Sequence, residues 1–109
     1  MSDLAKSSAE FVSKFGMLAS RLADLGIITH TLDLHWGSFG HFTLIVMKRH
    51  EAVRFDYDGR DSFVRVEVSP VREYSYPNEW KELVVKGIDN RHDEVIDYIE
   101  SFLRLRFTN

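Results

Sequence analysis

Four segments between Ile27 and Pro70 alternate apolar and polar residues, and turn-forming residues separate them. A period of two sends successive side chains to opposite faces of an extended chain, so the pattern predicts four consecutive β-strands. In the first segment Ile28, Leu32, Leu34 and Trp36 share one parity, while Thr29, Thr31, Asp33 and His35 share the other. The second, from His41 to Arg49, carries Phe42, Leu44 and Val46 on one face and Thr43, Ile45 and Met47 on the other. Being apolar on both faces, it belongs inside the sheet rather than at an edge. Matching the even faces of these strands requires an odd number of loop residues. The stretch from Gly37 to His41 suits a three- or five-residue connection, because its glycines tolerate positive φ.

The next pair repeats the logic. Val53, Phe55 and Tyr57 alternate with Arg54, Asp56 and Asp58, and Val64, Val66 and Val68 alternate with Phe63, Arg65 and Glu67. A two-residue Gly59-Arg60 turn would set Phe55 opposite Val64 and Val53 opposite Val66. Asp56 would then lie diagonal to Arg65, and Arg54 diagonal to Glu67. Pro70 ends the strand. The run from Lys81 to Gly87, with Leu83, Val84 and Val85, is too short for periodicity to separate strand from helical turn, and a short fifth strand is the reading adopted.

Helices flank the strands. Over residues 3–25, Leu4, Phe11, Leu18 and Leu25 recur every seven positions, and Phe15 and Leu22 fill the intermediate steps, which makes one apolar stripe. Gly26 suits the C-terminal cap. Gly16 costs about 1 kcal/mol relative to alanine in a helix interior, and predicts a close backbone approach to the sheet. Asn90 is placed to cap a final helix over residues 91–106. Asp93, Glu94 and Asp97 lie in its first half and Arg104 and Arg106 in its last turn, as the helix dipole favours. Its stripe is Val95, Ile96, Ile99, Phe102 and Leu103. The expected architecture is α+β: an N-terminal helix, a four- to five-stranded antiparallel meander sheet and a C-terminal helix. Both helices pack on one sheet face, in a single domain over residues 1–109.

Composition bounds the function classes. A net charge of −3 argues against a nucleic-acid module, which would carry a clustered basic face. The absence of cysteine excludes disulfides, thiolate metal sites and a cysteine nucleophile. The N-terminus has no apolar signal-peptide core, and the longest wholly apolar run, Leu44 to Met47, is far too short to span a membrane. A soluble cytoplasmic protein without membrane association is expected.

Motifs of contiguous residues are lacking. There is no glycine-rich phosphate loop and no nucleophile elbow, so Ser38 is assigned a turn role. The stretch Asp56 to Asp61 superficially resembles a calcium loop. Arg60 occupies the third alternate position and Gly59 falls two residues early, which rejects that reading.

Two candidate sites remain. Asp33, His35 and His41 flank the first hairpin and are the residue types that ligate zinc or perform acid–base work near neutral pH. An odd-length loop leaves His41 in or beside the turn, with no fixed relation to His35. His30 has core parity, His50 sits in a turn and His92 in the first helical turn. The second candidate is an acidic, aromatic patch made of Glu73, Tyr74, Tyr76, Glu79 and Trp80, together with Asp58 and Asp61 at the hairpin tip. Tyrosine and tryptophan bury area while keeping a polar handle, and carboxylates suit a basic partner. The competing reading folds these aromatics back as a cap over an open end of the core.

The first-ranked function is a non-catalytic protein–protein interaction domain. A small inhibitor or immunity-type protein that neutralises a basic macromolecular partner such as a toxin, without a cofactor, is the form expected. The alternative is a small enzyme or metal- or ligand-binding domain using Asp33, His35 and His41. A homodimerising regulatory domain, joined through the heptad helix or an exposed strand edge, is the third.

Overall fold

The computed structural model describes residues 2–35, 40–72, 76–89 and 92–108. In chain order it contains α1 (Ser2–Asp24), β1 (Ile28–His35), β2 (His41–Lys48), β3 (Glu51–Asp58), β4 (Phe63–Pro70), β5 (Lys81–Gly87) and α2 (His92–Arg106). The five strands form one antiparallel sheet in sequential order, with β2 inside it and residues 81–87 as a fifth strand.

Both helices cover the same face. Phe11, Phe15, Leu18 and Leu22 of α1 and Val95, Ile96, Ile99 and Leu103 of α2 share one core with Phe42, Leu44, Val46, Val53, Phe55, Tyr57, Val64 and Val66 of the sheet. Four rings knit α1 to the strands. The Phe15 and Phe42 centroids lie 4.9 Å apart edge to face, Phe11 and Phe42 are 5.7 Å apart, and Phe42 stacks on Tyr57 at 5.4 Å.

Ion pairs fix how the helices lie. Lys14 and Arg21, two turns apart on α1, meet Asp93 and Glu100, two turns apart on α2, at 2.8 and 2.9 Å. The order is the same along both, so the helices run parallel. The Arg21 guanidinium, joined by Arg104, holds the Glu100 carboxyl below its ordinary value.

Parallel helices bring both C-termini to one place, where orphan carbonyls concentrate negative potential. Lys48, the last residue of β2, reaches into that place. Its Nζ donates to the Leu25 carbonyl at 2.7 Å and to the Phe107 carbonyl at 3.5 Å. Lys48→Met is therefore expected to lower stability by about 1–2 kcal/mol, read as a fall in the urea midpoint, because a charged donor and a dipole partner are lost together. Gly26 adopts φ +77° beside this lysine, as the helix cap requires.

Three local expectations are corrected. Gly16 makes no close approach, since a Cβ added there meets nothing within 4 Å. In β1 the register shifts between Thr29 and Thr31, leaving His30 as an extra residue. The bulge turns Ile28 away from the core to sit opposite Met47, where it is 62% exposed, and His30 is exposed rather than buried. A bulge on an edge strand also spoils it as a template for further pairing.

The third correction concerns β3 and β4, whose connection has four residues, not two. Phe55 faces Val66, Val53 faces Val68, Asp56 faces Arg65 directly and Arg54 faces Glu67 directly. The cause lies in the turn. One Asp58 carboxylate oxygen accepts the Arg60 and Asp61 backbone N–H groups at 2.9 and 3.0 Å, and Ser62 takes a left-handed φ of 55°. This side-chain-closed turn sets a longer loop than glycine alone would.

Candidate functional site

The helices leave the second face of the sheet open, and the chain lays the described part of the connection from β4 to β5 over one end of it. Its first residue is tied down by the Val71 N–H, which donates to the His50 carbonyl at 2.8 Å. The Tyr76 ring then meets the His30 ring edge to face at 5.2 Å. Pro77 is buried, and the Glu79 N–H donates to Ser69 Oγ at 3.1 Å. The Trp80 ring lies over the Arg54 guanidinium at 4.3 Å, and Arg54 in turn holds Glu67 at 2.8 Å. Tyr76 on the bulge of β1 and Trp80 on β3 thus anchor a strap across β2. Ile45 pairs with Thr31 and Arg54, directly between those anchors, and is only 2% exposed although it faces away from both helices.

The strap divides the sequence-derived aromatic patch. Trp80 is half-buried against Arg54 on the helix-free face, whereas Tyr76 stays 61% exposed and Glu79 is exposed. Asp58 and Asp61 lie elsewhere. Asp58 is four residues beyond Arg54 along β3, about 13 Å at the usual strand rise, so the hairpin tip occupies the opposite end of the face. Glu73 and Tyr74 lie outside the described residues, as do Trp36, Ser38 and Asn90.

At that opposite end the structure brings together residues that sequence reasoning kept apart. Two neighbouring cross-strand rows, all but Asp33 of them in its lining, frame a cleft of about 220 Å³. One row runs Asp33, Thr43, Asp56, Arg65 across four strands. The other runs His35 and His41, which are register partners, then Asp58 and Phe63. His41 is therefore the first residue of β2 and stands in a fixed relation to His35, because the five-residue connection, 36–40, ends just before it. Thr43, Asp56, Phe63 and Arg65 were not singled out as site residues. Their shared parity was the available signal, and the two-residue register error displaced it.

Each imidazole is engaged by its own carboxylate. His35 Nε2 lies 3.3 Å from Asp33 Oδ2. His41 Nδ1 accepts the Gly59 N–H at 3.2 Å, so a neutral His41 carries its proton on Nε2, 3.4 Å from Asp58 Oδ1. The Thr43 hydroxyl donates to Asp56, not to either ring. Asp33, His35 and His41 do not converge on a common point through these contacts. Among the described residues no group of three or more His, Asp or Glu is arranged to hold a metal ion.

Electrostatically this end is acidic. Arg54 is held by Glu67, and Arg65 by Glu82 at 3.0 Å. Arg54 also lies 3.7 Å from Asp56, and among the described residues at this end of the face the carboxylates Asp33, Asp56, Asp58, Asp61, Glu67 and Glu82 outnumber Arg54, Arg60 and Arg65. No helix among the described residues is long and apolar enough to cross a membrane. No family model, curated protein or solved structure matches the chain.

Proposed function

We propose that this chain is a non-catalytic binding domain that presents the helix-free face of its sheet to a basic protein. The observation that carries the reading is the excess of carboxylates around the β3–β4 tip, on a face whose arginines are already neutralised by Glu67 and Glu82. Exposed Tyr76 at the strap end adds an aromatic contact of the kind enriched at interfaces. The cleft is smaller than the 300 Å³ or so at which pockets begin to enclose drug-sized ligands. His35 and His41 each have a separate carboxylate partner, and the Thr43 hydroxyl beside them points to a carboxylate. These features favour recognition over catalysis. A catalytic partner with a basic active surface, such as a nuclease-type toxin, is the complementary class, and occlusion of that surface would make this chain an inhibitor.

The test begins by crosslinking the chain to its partner in the cells that make it and identifying the partner by mass spectrometry. Affinity of the purified pair is then compared with that of an Asp33→Lys/Asp61→Lys variant. Reversing two rim charges is expected to weaken binding about tenfold or more, mainly through a slower association rate, and to flatten the salt dependence. An unchanged affinity would place the contact elsewhere and overturn the reading.

A further inference from the structure

We propose that His41 is a pH-responsive clip: its neutral imidazole fastens the β3–β4 tip to β2, and protonation of the ring releases it. Any effect on a partner rests on the reading above, whereas the clip stands on a hydrogen bond of its own. The Gly59 N–H donates to His41 Nδ1 at 3.2 Å, joining the turn to the first residue of β2. A backbone N–H only donates, so Nδ1 must offer a lone pair. The imidazolium carries N–H groups on both nitrogens and offers none. Protonation therefore sets two donors against each other, and the ring must turn or Gly59 must move. Gly59 is buried, so its released N–H reaches water only if the turn shifts outward. The His41 ring is only half-buried and takes up a proton from solvent without unfolding.

The charged groups facing the ring come from each neighbouring element. On β1, His35 is its register partner and is paired with Asp33. On β3, Asp58 Oδ1 lies 3.4 Å from His41 Nε2, and Asp56 lines the same cleft, as does Arg65 on β4. The turn itself adds Arg60 and Asp61. Asp58 gives the imidazolium an acceptor, which the Gly59 N–H cannot, so acidification moves the ring's main contact from the turn backbone to a carboxylate. The Asp58 cap on the Arg60 and Asp61 N–H groups uses no lone pair of the ring and survives the change. The tip thus loosens from β2 without losing its internal shape. Imidazolium charge on His35 and His41 also offsets carboxylates of the acidic face, which weakens its pull on a basic partner.

The test follows the His41 ring and the Gly59 amide of the isotope-labelled full chain by NMR from about pH 8 to about pH 5, the range over which imidazoles charge. The Gly59 amide resonance is expected to move with the midpoint of the His41 ring. Its hydrogen-exchange protection should fall about fivefold across that midpoint, after correction for the intrinsic rate, as one ordinary hydrogen bond is lost. His41→Gln should abolish the Gly59 titration and His35→Gln should leave it in place, with unchanged amide shifts elsewhere confirming folding. A Gly59 resonance that stays still while the His41 ring titrates, one that follows the His35 ring instead, or a response that persists in His41→Gln would overturn the clip. Affinity for the crosslinked partner should then fall severalfold between about pH 7.5 and about pH 5.5, and by less in His41→Gln. Equal affinity at both, with the Gly59 response present, overturns the regulation of binding alone. An Asp33→Lys/Asp61→Lys variant of unchanged affinity overturns the acidic face and leaves the clip, read at Gly59, standing.

Discussion

Phe42→Ala is expected to destabilise the protein by about 3–5 kcal/mol, the usual cost of truncating a buried phenylalanine. A domain of this size has about 5–15 kcal/mol in total, so the loss is a fifth of its stability at the least. The reason is position as much as size. Phe42 is 2% exposed and is the ring through which Phe11 and Phe15 of α1 reach Tyr57 on β3. Three ring–ring contacts are lost with it, beyond the area it buries. Its neighbours belong to a helix and two strands, so they cannot close the gap together without moving α1 off the sheet. Urea denaturation should show a lower midpoint at an unchanged slope, and Phe42→Leu should recover most of the loss. A cost under about 1 kcal/mol would mean that α1 is not seated on β2.

The alternation from Ile28 to Val68 was a sound guide to layers because parity survives almost any loop. Even positions of β2 and β4 and odd positions of β3 face the helices whatever the turn geometry, so the core and the open face were both legible. Register was not. The β3–β4 turn is closed by the Asp58 carboxylate, and a side chain that caps its own turn adds two residues without disturbing parity. The bulge at His30 did disturb parity, and the Tyr76 ring packed on it comes from a segment 46 residues away in sequence, which no local pattern announces.

Long-range polar partners were hidden in the same way. Lys48 reads as an ordinary charged strand end, and only the parallel arrangement of two distant helices gives it two carbonyls to cap. The candidate cleft suffered most. Its two rows are assembled from four strands, so a shift of two residues in one pairing replaces the Asp56–Arg65 and Asp58–Phe63 neighbours with others. His35 and His41 were noticed as residue types, but their pairing depends on where a loop ends, which parity leaves open.

The strap supplies the second large effect. Ile45→Ala is expected to cost about 2–4 kcal/mol, as for a core isoleucine, although its side chain points away from both helices. The β4–β5 connection, whose anchors at His30 and Arg54 lie on either side of Ile45, is the cover to which this prediction assigns its 2% exposure. Trp80→Ala should cost about 2–3 kcal/mol, from lost area and a cation–π contact over a guanidinium that is already held by Glu67. The decisive quantity is their coupling. Once Trp80 is gone the strap loosens and Ile45 is partly wet, so truncating it then costs about half as much. The double variant should therefore be more stable than the sum of the single losses implies, by about 1–2 kcal/mol, within the range seen for residues in one packed unit. Additive losses would show that the strap does not cover Ile45. In that case Tyr76 would not be held at the rim of the open face, and the aromatic half of the proposed binding surface would lose its fixed position relative to the acidic half.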